Sequence, residues 1–194
     1  MPAFDLRGIK VAKYTNTNGV IAYSQKTSIG DAMTVDLQFT YAEGRLYAES
    51  VLAEYIRLAT GGTISIGEKY IPDAAKELLF GMREGTRSIT VSGSAVTATS
   101  IKLGGKDLPN YVGVAFYAPD MVDGAQKYTC VFVTRALFAP PSMTYQTKGD
   151  TITFQTPTTT GEFLPDHTAN QELVETYVAD TEEAAIAWVD AVLT

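Results

Sequence analysis

The chain predicts a mainly β protein with flanking helices, an α+β class. Three observations carry that expectation. Apolar residues alternate with polar ones at a period of two in 33–41 and again from 111 onward. Gly-, Pro- and Asn-containing turn signals separate these runs. Only two stretches, 71–81 inside the chain and 181–193 at its C-terminal end, combine helical spacing with capping residues.

Taken in order, residues 6–14 read as a first strand through Leu6, Ile9 and Val11, and Asn16-Thr17-Asn18-Gly19 turns it back into 20–24. The run 33–41 places Met33, Val35, Leu37, Phe39 and Tyr41 on one face, as a half-buried strand requires. Residues 42–62 admit two readings. Their helix formers suggest a helix over 49–59, whereas a long excursion between two strands would carry Leu46, Tyr47, Val51, Leu52, Tyr55 and Ile56 as exposed apolar surface in need of a partner. Gly61-Gly62 closes the excursion, and 63–67 is a short strand.

Residues 71–81 form a helix with Pro72 in its first turn, Asp73 at the positive end of the dipole and Gly81 as its stop. Strand 86–91 follows, and the small residues of 92–100 read as a loop or an edge strand. Gly104-Gly105-Lys106 lacks the spacing of a phosphate-binding loop. The centre of the chain is 111–161. Its strand 111–117 sets Val112, Val114 and Phe116 against Tyr111, Ala115 and Tyr117, and a link containing Pro119, Asp120 and Asp123-Gly124 turns it. Strand 128–138 is apolar on both faces, with Tyr128, Cys130, Phe132 and Phe138 on one and Val131, Val133 and Leu137 on the other. Such a strand must be covered twice, and other copies of the chain are one source of cover. Pro140-Pro141 ends it, and a hairpin of 143–147 and 151–156 follows, with Lys148-Gly149-Asp150 at its tip and Ile152 and Phe154 facing in. Residues 162–170 read as loop. Asp180 as N-cap with Glu183 three residues on opens the last helix, whose Ala184, Ala185, Trp188 and Val189 dock on the sheet.

Composition bounds the function. The 194 residues suffice for one sizeable core, so 1–194 reads as a single domain. With 45% hydrophobic and 19% charged residues the chain is of globular type. No apolar run approaches the roughly 20 residues of a membrane-spanning helix, and the N-terminus has neither the basic nor the apolar region of a signal peptide, so a soluble protein made in a cytoplasm is expected. One cysteine and one histidine predict no disulfide, no zinc shell and no structural cofactor. The net charge of -7 argues against ordinary nucleic-acid binding. No Lys or Arg follows Lys148, and the acids that accumulate there read as a solvated face. Cys130 has no basic neighbour on its strand face and reads as a structural thiol. His167 beside Asp166 has no accompanying nucleophile motif, so no enzyme is expected.

The ordered set LRGIKVAKYT, AEGRLYAES with GGTISIG, YVGVAFY, DGAQKYTCVFV, TYQTKGDTITFQTPTTTG and TEEAAIAWVDAV resembles the major tail tube proteins of long-tailed, non-contractile bacteriophages and related prophages. The resemblance implies a β-sandwich or barrel-like subunit that assembles into stacked hexameric rings, a virion tail conduit for DNA delivery assembled in the host cytoplasm. It implies homo-oligomeric contacts, other tail proteins such as tape measure and tail terminator as partners, passage of DNA without specific binding, no membrane, and no catalytic, cofactor or metal residues. Leu46, Tyr47, Val51, Leu52, Tyr55 and Ile56 are the expected inter-subunit contacts. A monomeric β-sandwich carbohydrate-binding module and the tube subunit of a contractile injection or secretion machine are the alternatives.

Overall fold

The computed structural model describes residues 5–122, 124–142, 145, 147 and 156–194. Its ten strands and two helices run β1 (Arg7–Thr17), β2 (Val20–Ser28), β3 (Ala32–Ala48), β4 (Val51–Glu68), α1 (Asp73–Phe80), β5 (Arg83–Val91), β6 (Ser94–Lys102), β7 (Tyr111–Val122), β8 (Ala125–Phe138), β9 (Thr158–Phe163), β10 (Val174–Ala179) and α2 (Glu182–Ala191). Mainly β architecture with two flanking helices is thus what the chain adopts. The large sheet is antiparallel in the order β2-β1-β7-β8-β9-β4-β3, and β5 and β6 form a separate hairpin. One edge of β8 is shared: residues 128–133 pair with β10 and residues 136–138 with β9. Of the expected hairpin of 143–147 and 151–156 only Tyr145, Thr147 and Thr156 are described, and its tip, Ile152 and Phe154 lie outside the described residues.

Two apolar clusters lie on opposite faces of β1, β7 and β8. The larger joins Ile9 and Val11 of β1, Val112, Val114 and Phe116 of β7 and Phe138 of β8 to Ile64 and Ile66 of β4 and Leu78, Leu79 and Phe80 of α1. Because β1 and β4 stand well apart in the sheet order yet share this cluster, the sheet curls around it. The smaller cluster packs Ala115, Tyr117, Cys130 and Phe132 under Ala185, Val189 and Leu193 of the C-terminal segment. Both faces of β7 and β8 are therefore covered by this chain's own residues, which corrects the expectation that other copies supply cover there.

Several boundaries differ from expectation, each for a physical reason. Strand β7 continues through Pro119 and Asp120 to Val122, because Pro119 pairs with Tyr128 and Asp120 with Lys127. Gly124 takes φ +79 in the turn after it, while Asp123 lies outside the described residues. Phe138 leaves the face of Cys130 and Phe132. Val112 pairs with Ala136 but Val114 with Val133, so β8 carries one extra residue, and this bulge reverses the alternation beyond it. Glu162 and Phe163, read as the start of a loop, belong to strand β9, and residues 174–179, to which the sequence assigned no element, are strand β10. Residues 94–102 are strand rather than loop.

The helices follow their local chemistry. Gly81 closes α1 at φ +66 with its N–H donating to Glu77 O, and a Cβ there would stand 2.1 Å from Leu108 O. Only glycine satisfies both conditions. The N-cap of α2 is Thr181, whose Oγ1 accepts from the Ala184 amide at 3.2 Å, not Asp180. The Asp180 carboxylate instead pairs with Lys127.

Candidate assembly interface

The β3–β4 hairpin is the one element of the large sheet that outgrows the core. Sixteen residue pairs run from Ala32↔Glu68 to Ala48↔Val51, whereas β9 borders only residues 62–67 of β4. Burial on β3 stops at Leu37, so Phe39 and Tyr41 of the expected buried face are exposed, as is Met33, the extra residue of the bulge between Ala32 and Thr34, although the Phe39 ring still meets Phe163 edge-on at 5.2 Å. Residues 40–48 and 51–60 therefore form a two-stranded arm, roughly 30 Å long at the rise of a strand. The alternative of a helix over 49–59 is corrected: these residues pair along β3 instead.

The root and the tip of the arm explain its course. At the root, Thr40 pairs with Gly61 and Tyr41 with Ala59, so Thr60 is an extra residue that re-aims the ribbon. Gly61-Gly62 does not end the segment. It lets the ribbon pass against β9, since a Cβ on Gly62 would lie 2.1 Å from Gln38 O and 2.4 Å from the Phe163 ring. At the tip, Glu49 and Ser50 both take positive φ, 50° and 66°, as a two-residue turn matching the strand twist requires.

Cross-strand register sorts the arm into two faces. One carries Ala42, Gly44, Leu46 and Ala48 opposite Leu58, Ile56, Glu54 and Val51, and is apolar except for Glu54. The other carries Tyr41, Glu43, Arg45 and Tyr47 opposite Ala59, Arg57, Tyr55 and Leu52. Here Glu43 binds Arg45 at 3.4 Å and Arg57 at 3.3 Å, while Arg57 stacks over Tyr41 at 3.9 Å and Arg45 over Tyr55 at 5.4 Å. The second face is thus internally satisfied and the first is not.

All six sequence-nominated contact residues sit on this arm, exposed by 46% (Tyr55) to 68% (Val51). The structure divides them: Leu46, Val51 and Ile56 share the apolar face, and Tyr47, Leu52 and Tyr55 the mixed one. Sequence reasoning missed Leu58 on the apolar face, 64% exposed, although the same alternation that links Ile56 and Leu46 includes it. It also missed the exposed apolar face of the β5–β6 hairpin, where Ile89 and Val91 oppose Val96 and Ser94. The opposite face is mostly hydroxyl, with Thr86, Ser88 and Thr90 across from Thr99, Thr97 and Ala95.

The remaining functional residues weighed in the sequence have structural roles. Cys130 is fully buried, and burial pushes its thiol up to about 11. His167 and Asp166 do not pair: the Tyr14 hydroxyl and His167 Nδ1 share a hydrogen bond at 2.8 Å, while Asp166 Oδ1 accepts from Thr168 N, Thr168 Oγ1 and Glu172 N. The acids near the C-terminus are not simply a solvated face. Lys10 and Lys26 converge on Asp190 at 2.7 and 2.9 Å and hold its carboxyl below the usual range, and Arg7 and the Tyr117 hydroxyl do the same to Glu182. These groups fasten α2 to the N-terminal strands, while Glu162, Glu172, Glu175 and Glu183 stay exposed. Among the described residues no three His, Cys, Asp or Glu side chains gather as a metal site. Among the described residues no helix is long and apolar enough to cross a membrane.

Compared with known proteins, the chain matches no family model and no curated relative.

Proposed function

We propose that this chain is a structural subunit that self-assembles through its projecting hairpins, forming stacked rings of a tail tube that conducts DNA. The carrying observation is the β3–β4 arm: a ribbon with an apolar face open to solvent and, among the described residues, no third strand on either edge before residue 62 of β4. A two-stranded ribbon of this kind is marginal in water by itself, and its free edges are templates for pairing with another chain. The β5–β6 hairpin has the same character: among the described residues neither edge is paired further, and Ile89, Val91 and Val96 expose apolar surface beside its Ser92-Gly93 turn. A subunit with two such ribbons differing in face and length offers head-to-tail contacts, which close into rings or continue as filaments. The motif order that resembles phage tail tube proteins supplies the hexameric ring, the stacked tube, the tail location and the tape measure and terminator partners within this proposal.

Purified protein tests the reading by sedimentation velocity across a concentration series. The subunit mass is 20.9 kDa. Discrete species at multiples of that mass, growing with concentration, support it. A monomer that persists at high concentration and low salt would overturn it and favour a monomeric binding module.

A further inference from the structure

Glu68 is the last residue of β4, and its carboxyl is enclosed completely, with neither oxygen hydrogen-bonded. Strand alternation puts it on the face of Ile64 and Ile66, both fully buried in the larger cluster. Thr159 of β9, paired with Ile66, is buried there too, and its Oγ1 is likewise without a partner. The Glu68 amide donates to Pro157 O at 3.0 Å, so the residue ends the β4–β9 seam whose other end, Gly62↔Phe163, is the root of the arm.

Among the described residues nothing around Glu68 compensates a charge. On the β3 side, Asp31 pairs with Lys69 at 3.4 Å. On α1, Asp73 pairs with Lys76 at 2.7 Å, and Glu77 makes no ion pair. The nearby part of β9 offers only Thr158, Thr159 and Thr160. A groove of about 670 Å³, lined by Lys69, Tyr70 and Pro157 among others, passes directly beside the seam. Burial alone pushes the carboxyl up to about 8.

We propose that Glu68 is a proton-operated latch on the β4–β9 seam: losing its proton forces a charge into the apolar interior and opens this end of the seam toward the neighbouring groove. The balance is a simple ionisation, in which the carboxyl releases a proton to water and the carboxylate must reach solvent. The inference does not depend on tube assembly and is read on the isolated subunit.

The test compares wild type with Glu68→Gln by hydrogen exchange and thermal melting across pH. Glu68 ionises near 4.5 when unfolded and near 8 when folded, so its protonated form costs nothing at low pH and stability falls as pH rises between those values. In wild type the open population of the seam, read at the Glu68 amide, should rise about tenfold per pH unit in that window relative to Glu68→Gln. The melting-temperature gap between the two should widen with pH and level off above about 8. Isotope-edited infrared spectra of wild type provide a measurement without substitution, and should show a protonated buried carboxyl near neutral pH. Parallel pH profiles for the two proteins, or a carboxylate band at neutral pH in the folded wild type, overturn the proposal.

Discussion

Replacing Ile56 by Asp probes the apolar face of the arm where the consequences for folding and for association separate. Ile56 and Leu46 are each 58% exposed, so each leaves on the order of 100 Å² available for burial by a neighbour. At about 25 cal/mol per Å² that is roughly 2.5 kcal/mol per side chain in an interface. An aspartate buried in its place adds a desolvation cost of at least 1–3 kcal/mol, on the order of 4 kcal/mol in all, or about a thousandfold in association constant. Subunit stability should move by less than about 0.5 kcal/mol, because the side chain is in the solvated part of the arm. Leu52, on the internally satisfied face, should give a smaller loss when changed to Asp. Sedimentation velocity measures association and circular dichroism melts measure folding. Loss of cooperative unfolding in Ile56→Asp would show that the segment belongs to the subunit core, and undiminished assembly would show that this face stays in water; either result refutes the reasoning.

Other substitutions test the packing of the subunit. Gly81→Ala should destabilise by several kcal/mol in chemical denaturation, since it joins a positive φ to a 2.1 Å approach to Leu108 O. Thr181→Ala removes the cap of α2 and should cost about 1 kcal/mol in the same assay, whereas Asp180→Ala leaves the cap intact. Asp190→Asn should lower the melting temperature near neutral pH, where the carboxylate holds Lys10 and Lys26. Its carboxyl is depressed below 3.8 in the folded state, so that contribution is present above the unfolded value and disappears as pH falls through the folded one; the two melting curves should converge in acid.

What the sequence disclosed depended on how strongly a segment's local pattern was tied to its final environment. The faces of β7 were readable because Val112, Val114 and Phe116 alternate without interruption between two covered sides. Helix α1 was readable because Pro72, Asp73 and Gly81 each act within one turn. Phe138 was misplaced because the bulge near Thr134 and Arg135 has no sequence marker; it arises from simultaneous pairing with β7, β9 and β10. Strands β9 and β10, TTTGEF and VETYVA, are too short and polar to announce themselves, and pairing with β4 and β8 defines them. The arm was ambiguous for a different reason. Ala53, Leu52 and Glu54 favour a helix locally, while Leu46, Ile56 and Leu58 fit a strand, and the register with β3 decides. The six nominated contacts were found because an exposed apolar segment is conspicuous in either conformation, but which face each occupies came only from that register.

The projecting hairpins are proposed to be covered by other copies of this chain. Electron microscopy of the purified protein in negative stain, at concentrations spanning the onset of association, tests it most directly. Rings or hollow tubes, absent in Ile56→Asp, are the predicted result; a field of separate 20.9 kDa particles at every concentration would contradict it.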